Sequence, residues 1–178
     1  MYNLVIDHTN TVIGYGQEPV SIDNAKAYCR VDPGISNPAQ DQLFAYWITA
    51  ARQAIEHNTG LSLVPKSVVA YLQNPQGNIE LPFGPVTSTP VYLDRGSNVI
   101  TFSQVNGSQF PSIVDTFDYC QASYQAGYTN DNIPDEIRIA ILNQVVSWYE
   151  NRGDEAIANM PASVLSICQK YSRIGLLG

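Results

Sequence analysis

The chain has 178 residues and a formal net charge of −7, with 9 Lys and Arg against 16 Asp and Glu; 44% of residues are hydrophobic and only 14% are charged. That length suits one domain with an ordinary core, and no apolar run approaches the ~20 residues needed to cross a bilayer. The basic residues are never adjacent, so no basic stripe grips phosphates, and tight nucleic-acid binding is excluded as the main function.

Taken in chain order, residues 1–19 read as an irregular N-terminal arm. Gly14, Gly16 and Pro19 break it, and Val5-Ile6 is the one short stretch with strand character. Met1–Asp7 lacks the basic and apolar regions of a signal peptide, so assembly in a cytoplasm is expected. Ser21 can cap a helix over about 21–30, with Val20 and Ala25 at the positions of a hydrophobic staple. Asp32-Pro33-Gly34 ends it. A long helix is predicted over about 39–58, with Leu43, Trp47, Ala50, Ala51, Ala54 and Ile55 on one face and Gly60 closing it in the left-handed conformation.

Residues 61–130 are rich in β-formers and turn residues. Strands are predicted at 67–72, 79–81, 91–93, 99–102 and 117–124, with Asp94-Arg95-Gly96 as a hairpin loop. A third helix is predicted over about 134–152. Pro134 is expected at its first position, Asp135 and Glu136 meet the positive end of the helix dipole, and Ile137, Ile141, Val145 and Trp148 form its apolar stripe. A fourth helix follows over about 162–171, then a short apolar tail, 172–178. The expected fold class is α+β, mainly α. Two N-terminal and two C-terminal helices make a bundle with a small inserted β region. Residues 20–171 form the single domain, with Trp47, Ile55, Ile137, Ile141, Val145 and Trp148 as its core scaffold.

Catalytic patterns are missing. His57 sits in the last turn of the long helix, where a cation suits the dipole. Asp115, Asp118 and Asp131 lack the spacing of an EF-hand. Cys29, Cys120 and Cys168 have no zinc or redox spacing and read as reduced, partly buried thiols. No enzyme activity, metal or cofactor is expected. The low charge and the 11 tyrosines suit protein interfaces, or are simply an uncharged polar surface. Tyr119, Tyr124 and Tyr128 cluster near the end of the β region. A Tyr-rich carbohydrate-binding or host-surface-binding module is the alternative reading they support.

Five segments, in order, resemble the phage head–tail connector family, also called adaptor or head-completion proteins. Val20–Asp32 is similar to the family's "VSLEEAKxHLRVD", and Ala50–Gly60 to its "AAREAIExxTG". Leu81–Val86 resembles "LPxGPV", Tyr124–Tyr128 resembles "YxAGY", and Ile133–Arg152 resembles the helix that ends in "WYEnR". The match spans about residues 20–153 and fades at both ends. The resemblance implies a virion structural protein in the neck: a homo-oligomeric ring of twelve copies under the portal protein, assembled in the host cytoplasm. Such a ring extends the DNA channel, helps retain packaged DNA and offers a platform for tail or nozzle proteins. DNA would pass without sequence-specific binding, and an acidic or neutral lumen would let it slide. The long helix is expected to serve one ring face as well as the core. The C-terminal residues Tyr171, Arg173, Ile174, Leu176 and Leu177 are the expected portal contact, from their apolar character and by analogy with the family.

Overall fold

The computed structural model describes residues 4–12, 18–35, 37–74, 76–105, 109–152 and 160–172. The chain divides into two compact units, one drawn from residues 1–15 and 60–129, the other from 16–59 and 130–178. Among the described residues the first unit holds eight strands and the second four α-helices.

In the first unit, β1 (Leu4–Val12), β2 (Lys66–Asn74), β4 (Val91–Leu93), β5 (Val99–Ile100) and β8 (Phe117–Ala126) form a sheet in the order β1-β2-β8-β4-β5. A second sheet has the order β3-β7-β6, from Ile79–Glu80, Ser112–Ile113 and Gln104–Val105. All strand pairs are antiparallel. Burial alternates along β2 and β8, as period-2 side chains require when one sheet face packs on a core. Val68, Ala70, Leu72, Cys120, Ala122 and Tyr124 from the large sheet bury against Ile79 and Ile113 from the small one. Asn74, fully buried, donates to the carbonyls of Ile113 (3.3 Å) and Asp115 (2.7 Å) and so ties the sheets together. Between β4 and β5 the Asp94 carboxylate accepts from the amides of Gly96 and Asn98, both at 2.8 Å, and holds the hairpin loop.

The expectation of a mainly helical bundle with a small β insertion is thus corrected. The fold is mixed α+β, and its two antiparallel sheets carry their own core. Part of the reason is Leu4–Val12, which forms β1 and not an irregular arm, pairing along β2 with Thr9 opposite Val69. Five of its nine residues are β-branched, a strand signal that the lack of clean alternation hides. The short strands β6 and β7 carry no sequence signal of their own and form because they complete the small sheet.

In the second unit, α1 (Ile22–Tyr28) starts at Ser21, whose hydroxyl accepts from the Asn24 amide at 3.1 Å. The staple residues Val20 and Ala25 are both buried. Helix α2 (Pro38–Thr59) is followed by Gly60 at φ +74°. Helices α3 (Asp135–Glu150) and α4 (Ala162–Tyr171) begin after Pro134 and Pro161. Each proline is the N-cap rather than the first helical residue, with extended ψ, because the residue before the first turn needs no free N–H. The core gathers Phe44, Ile48, Ala51 and Ile55 of α2, Ile137, Ala140, Ile141 and Val145 of α3, and Val164 and Cys168 of α4. Burying each large aliphatic side chain contributes roughly 1.5–3 kcal/mol. The buried stripe of α2 is rotated from the expected one: Leu43 is 47% exposed and Ala50 is also exposed. Two adjacent apolar stripes exist on this helix, and the one carrying Phe44 and Ile48 fills the core. Among the described residues no helix is long and apolar enough to cross a membrane.

Candidate interaction surfaces

Of the expected core scaffold, Ile55, Ile137, Ile141 and Val145 are fully buried, while Trp47 and Trp148 are half-buried. Trp47 belongs to an aromatic cluster in which Phe44 stacks on Tyr149 at 5.6 Å and Trp47 meets both rings edge-on, at 5.4 and 6.0 Å. The Arg152 guanidinium covers the Tyr149 ring at 4.3 Å. The Trp-Tyr-Glu-Asn-Arg ending of α3 therefore works as packing.

Of the expected portal contact, Tyr171 is described and half-buried; Arg173, Ile174, Leu176 and Leu177 lie outside the described residues. Tyr171 ends α4 and donates its hydroxyl to the Glu136 carboxylate at 2.7 Å. Lys170 donates to both oxygens of the same carboxylate, at 2.8 and 2.7 Å. These bonds, Lys170 first, hold Glu136 below the usual carboxylate range. Burial, then the bond to Glu136, pushes the Tyr171 phenol up to about 12. A raised phenol pKa stabilises the fold fully below its unfolded value near 10 and is lost as pH rises through about 12. The lowered carboxyl acts at the other end: its contribution is present above the usual carboxylate range and is lost as pH falls through the depressed value. In an NMR titration the Tyr171 ring is expected to shift near 12, and Glu136→Gln to bring it back toward 10. A wild-type Tyr171 that titrates near 10 would show that the tie to Glu136 does not hold in solution.

The sequence reading missed an ion network between the segment before α1 and α2. Arg52, 5% exposed, donates from Nε (2.8 Å) and Nη2 (3.1 Å) to Glu18 and from Nη1 (2.8 Å) to Glu56, which is 8% exposed. Thr49 adds a 3.0 Å hydroxyl bond to Glu18. Burial alone would lower the guanidinium pKa; the bonds and charges of Glu18 and Glu56 outweigh it and raise the pKa. Beside this network lies a cleft of ≈ 520 Å³ lined by Glu18, Val20, Ser21, Ile48, Thr49 and Arg138, among others. Arg138 spends its two Nη groups on the carbonyls of Pro19 and Asn130, so the cleft's cation already serves the fold. A second inward charge is Lys26, 2% exposed and paired with Asp41. The signal in sequence was the spacing of four between Arg52 and Glu56, which a search for surface pairs would assign to solvent.

Among the described residues, no catalytic cluster converges in either unit. Among the described residues no three His, Cys, Asp or Glu gather closely enough to hold a metal ion. The cysteines are free thiols. Burial raises all three, Cys120 to about 12, and Glu150 adds to the rise at Cys29, so none is a ready thiolate. The three clustered tyrosines do not form an exposed platform. Tyr124 (4% exposed) donates its hydroxyl to the Pro82 carbonyl, and Tyr128 (8% exposed) accepts from Gln109 at 2.8 Å. Tyr119 stacks on Tyr71 at 6.3 Å.

Two of the five segments that carry the sequence resemblance meet in space. Leu81–Val86 and Tyr124–Tyr128 are joined by the Tyr124–Pro82 bond, by the Gly127 amide donating to the Pro85 carbonyl (2.9 Å), and by a bridge between Val86 and Ala126. Ser62 links to both, donating to Gly84 (2.7 Å) and accepting from the Tyr128 amide (3.1 Å). These segments form a knot that closes the end of β8; they carry no chemistry of their own.

No protein-family model and no curated protein matches the sequence. Solved structures do match. A chain from the neck of an empty gene transfer agent particle, computed with C6 symmetry, aligns with a TM-score of 0.69 at 19% identity over 92% of this chain and 95% of that one. A chain from the virion of a native gene transfer agent particle aligns at 0.68 with 17% identity, over 97% and 95%. A chain from the neck of a native particle, computed with C12 symmetry, aligns at 0.61 with 20% identity, over 92% and 94%. At such identities the likeness is one of fold, and it extends over nearly the whole length of both partners.

Proposed function

We propose that this chain is a structural protein of the neck of a phage-like particle, a head-to-tail adaptor that works as a ring of copies beneath the portal. The observation that carries the reading is the fold shared along 92% or more of the chain with chains of neck and virion particles. The C6 and C12 symmetries of two of those necks are what repeated copies around a channel produce, and twelve copies fit both. The role is mechanical. The ring extends the DNA channel, helps retain the packaged genome and receives tail or nozzle proteins. Acidic copies of −7 each would line or surround the channel without gripping phosphate, so DNA passes without sequence-specific contact. Tyr171, Arg173, Ile174, Leu176 and Leu177 are the proposed portal contact, with the Glu136 tie fixing the point from which the chain leaves α4.

Imaging of the assembled particle tests the reading, together with deletion of residues 172–178. A twelve-fold ring of this chain between portal and tail is the expected density, and the truncated protein should fold but fail to join heads. Copies scattered at the periphery, or as monomers, would overturn the adaptor role. Normal incorporation of the truncated protein would overturn the portal contact.

A further inference from the structure

Helix α2 is charged on the wrong side for a helix facing water. Its Arg52 and Glu56 are buried, and Asp41 is turned toward Lys26. Its exposed positions include Ala39, Gln42, Leu43, Tyr46, Ala50 and Gln53, and none of them is Asp, Glu, Lys or Arg. These recur at three- and four-residue steps and make one uncharged strip about 20 Å long at the α-helical rise. Tyr46 (61% exposed) and Leu43 (47% exposed) stand at its centre. A solvated helix normally sets charges on its outer face and apolar residues inside; here Arg52 and Glu56 instead lie along the core stripe.

The first unit has a second face poor in charge. On the side of the large sheet opposite its core, β2, β8, β4 and β5 present Tyr71, Tyr119, Gln121, Ser123, Val91 and Val99, none of them charged, and the edge strand β1 sets Asp7 opposite Tyr71. The register sets Tyr71 beside Gln121, Val91 beside Ser123 and Leu93 beside Val99, so the rows are continuous. Val91 is 47% and Val99 71% exposed. Arg95, in an exposed pair with Asp118 at 3.7 Å, reaches over the Tyr119 ring at 4.9 Å, so one compensated charge lies on this face.

We propose that, in the ring, the uncharged strip of α2 on one copy packs on the open face of the five-stranded sheet on the next copy. This rests on the ring reading above and names the surfaces that build it. Copies carrying −7 each repel wherever charged faces meet within about a Debye length, near 8 Å in physiological salt. Contact between an uncharged strip and a face poor in charge lessens that repulsion and buries Tyr, Leu and Val side chains. Because the two faces differ, the contact is head-to-tail and propagates around a closed ring instead of stopping at a dimer.

The test compares Tyr46→Glu, Val91→Glu and the control Val105→Glu. Val105 is 59% exposed on β6, in the other sheet. Each variant adds the same charge at an exposed position, and circular dichroism and the urea midpoint check its folding. Ring formation is read by light scattering on the purified protein and by the copies incorporated in particle necks. Tyr46→Glu and Val91→Glu should each cut ring formation roughly tenfold or more, since a carboxylate would have to be buried at the contact, while Val105→Glu assembles as wild type. If either variant assembles normally, or if the control fails equally, the proposed contact is wrong. If the wild type forms no ring in solution or in necks, the ring reading itself has failed, a result distinct from a ring that ignores these changes.

Discussion

Arg52→Ala is expected to lower folding stability by about 3–5 kcal/mol, among the largest single effects in the helical unit. The side chain is 5% exposed and satisfies two carboxylates with three hydrogen bonds between 2.8 and 3.1 Å. Truncation does more than delete those bonds. It takes from Glu56, itself 8% exposed, the guanidinium paired with it at 2.8 Å, and removing one partner of a buried ion pair is the dominant penalty. It also frees Glu18, which with Thr49 holds the chain before α1 onto α2. Arg52→Lys should recover only part of the loss. A single ammonium keeps the charge but cannot present the planar fork that reaches Glu18 and Glu56 together. Glu18→Gln should cost less than Arg52→Ala, because the Glu18 side chain is 29% exposed and solvent shares the burden. Urea unfolding of the three variants measures this order. A loss under about 1 kcal/mol for Arg52→Ala would mean that the network is ordinary surface pairing.

The same helix explains how far the sequence could be read. Periodicity finds α2, and Gly60 marks its end, but Leu43, Trp47, Ala50 and Ala54 make a stripe as apolar as Phe44, Ile48, Ala51 and Ile55. Nothing local decides between them, and Arg52 and Glu56 argue for the wrong one, since charges usually mark the wet side. Packing decides, because Phe44 stacks on Tyr149 and Ile48 is buried in the core, and because Glu18 lies 34 residues from Arg52 in sequence. Local signals served better where the physics is local. Ser21 caps α1, and Asp135 and Glu136 open α3. The β unit was under-read because its edge strand β1 pairs with β2 across more than fifty residues, and a strand so placed has no turn signal joining it to its partner. Of the proposed portal contact, Tyr171 alone is described, and its tie to Glu136 depends on two helices meeting, which no motif encodes. The segments that resemble a connector family mark internal scaffold: a capped helix, an aromatic cluster and the knot at the end of β8. Of the proposed working faces, the strip of α2 overlaps them at Ala50 and Gln53, and the sheet face and the portal contact lie outside them.

That knot sets the other large expectation. Gly127→Ala should destabilise the β unit by about 3 kcal/mol or more. Gly127 has φ +119°, a conformation that L side chains rarely adopt, so alanine is strained there whatever the space. The space is also missing. A Cβ would stand 2.2 Å from the Val64 carbonyl oxygen, 2.7 Å from its carbon and 3.0 Å from the Pro65 Cα. These are backbone atoms next to Leu61, Leu63 and Val64, which are nearly fully buried, so they cannot swing aside as the end of a long side chain could. Relief would have to come from moving the end of β8. That would break the Gly127 amide bond to Pro85, shift Tyr128 from Ser62 and open the bridge between Val86 and Ala126. Gly34→Ala supplies the contrast. Its added Cβ would meet only the Asp32 carboxylate oxygen at 3.2 Å, in an exposed loop and at no positive φ, so a change within about 1 kcal/mol is expected. Urea unfolding followed by the aromatic signal of the β unit compares the two. If Gly127→Ala were as mild as Gly34→Ala, the close approach of β8 to Val64 would not exist in solution, and the knot between Leu81–Val86 and Tyr124–Tyr128 would lose its role in fixing the sheet's register.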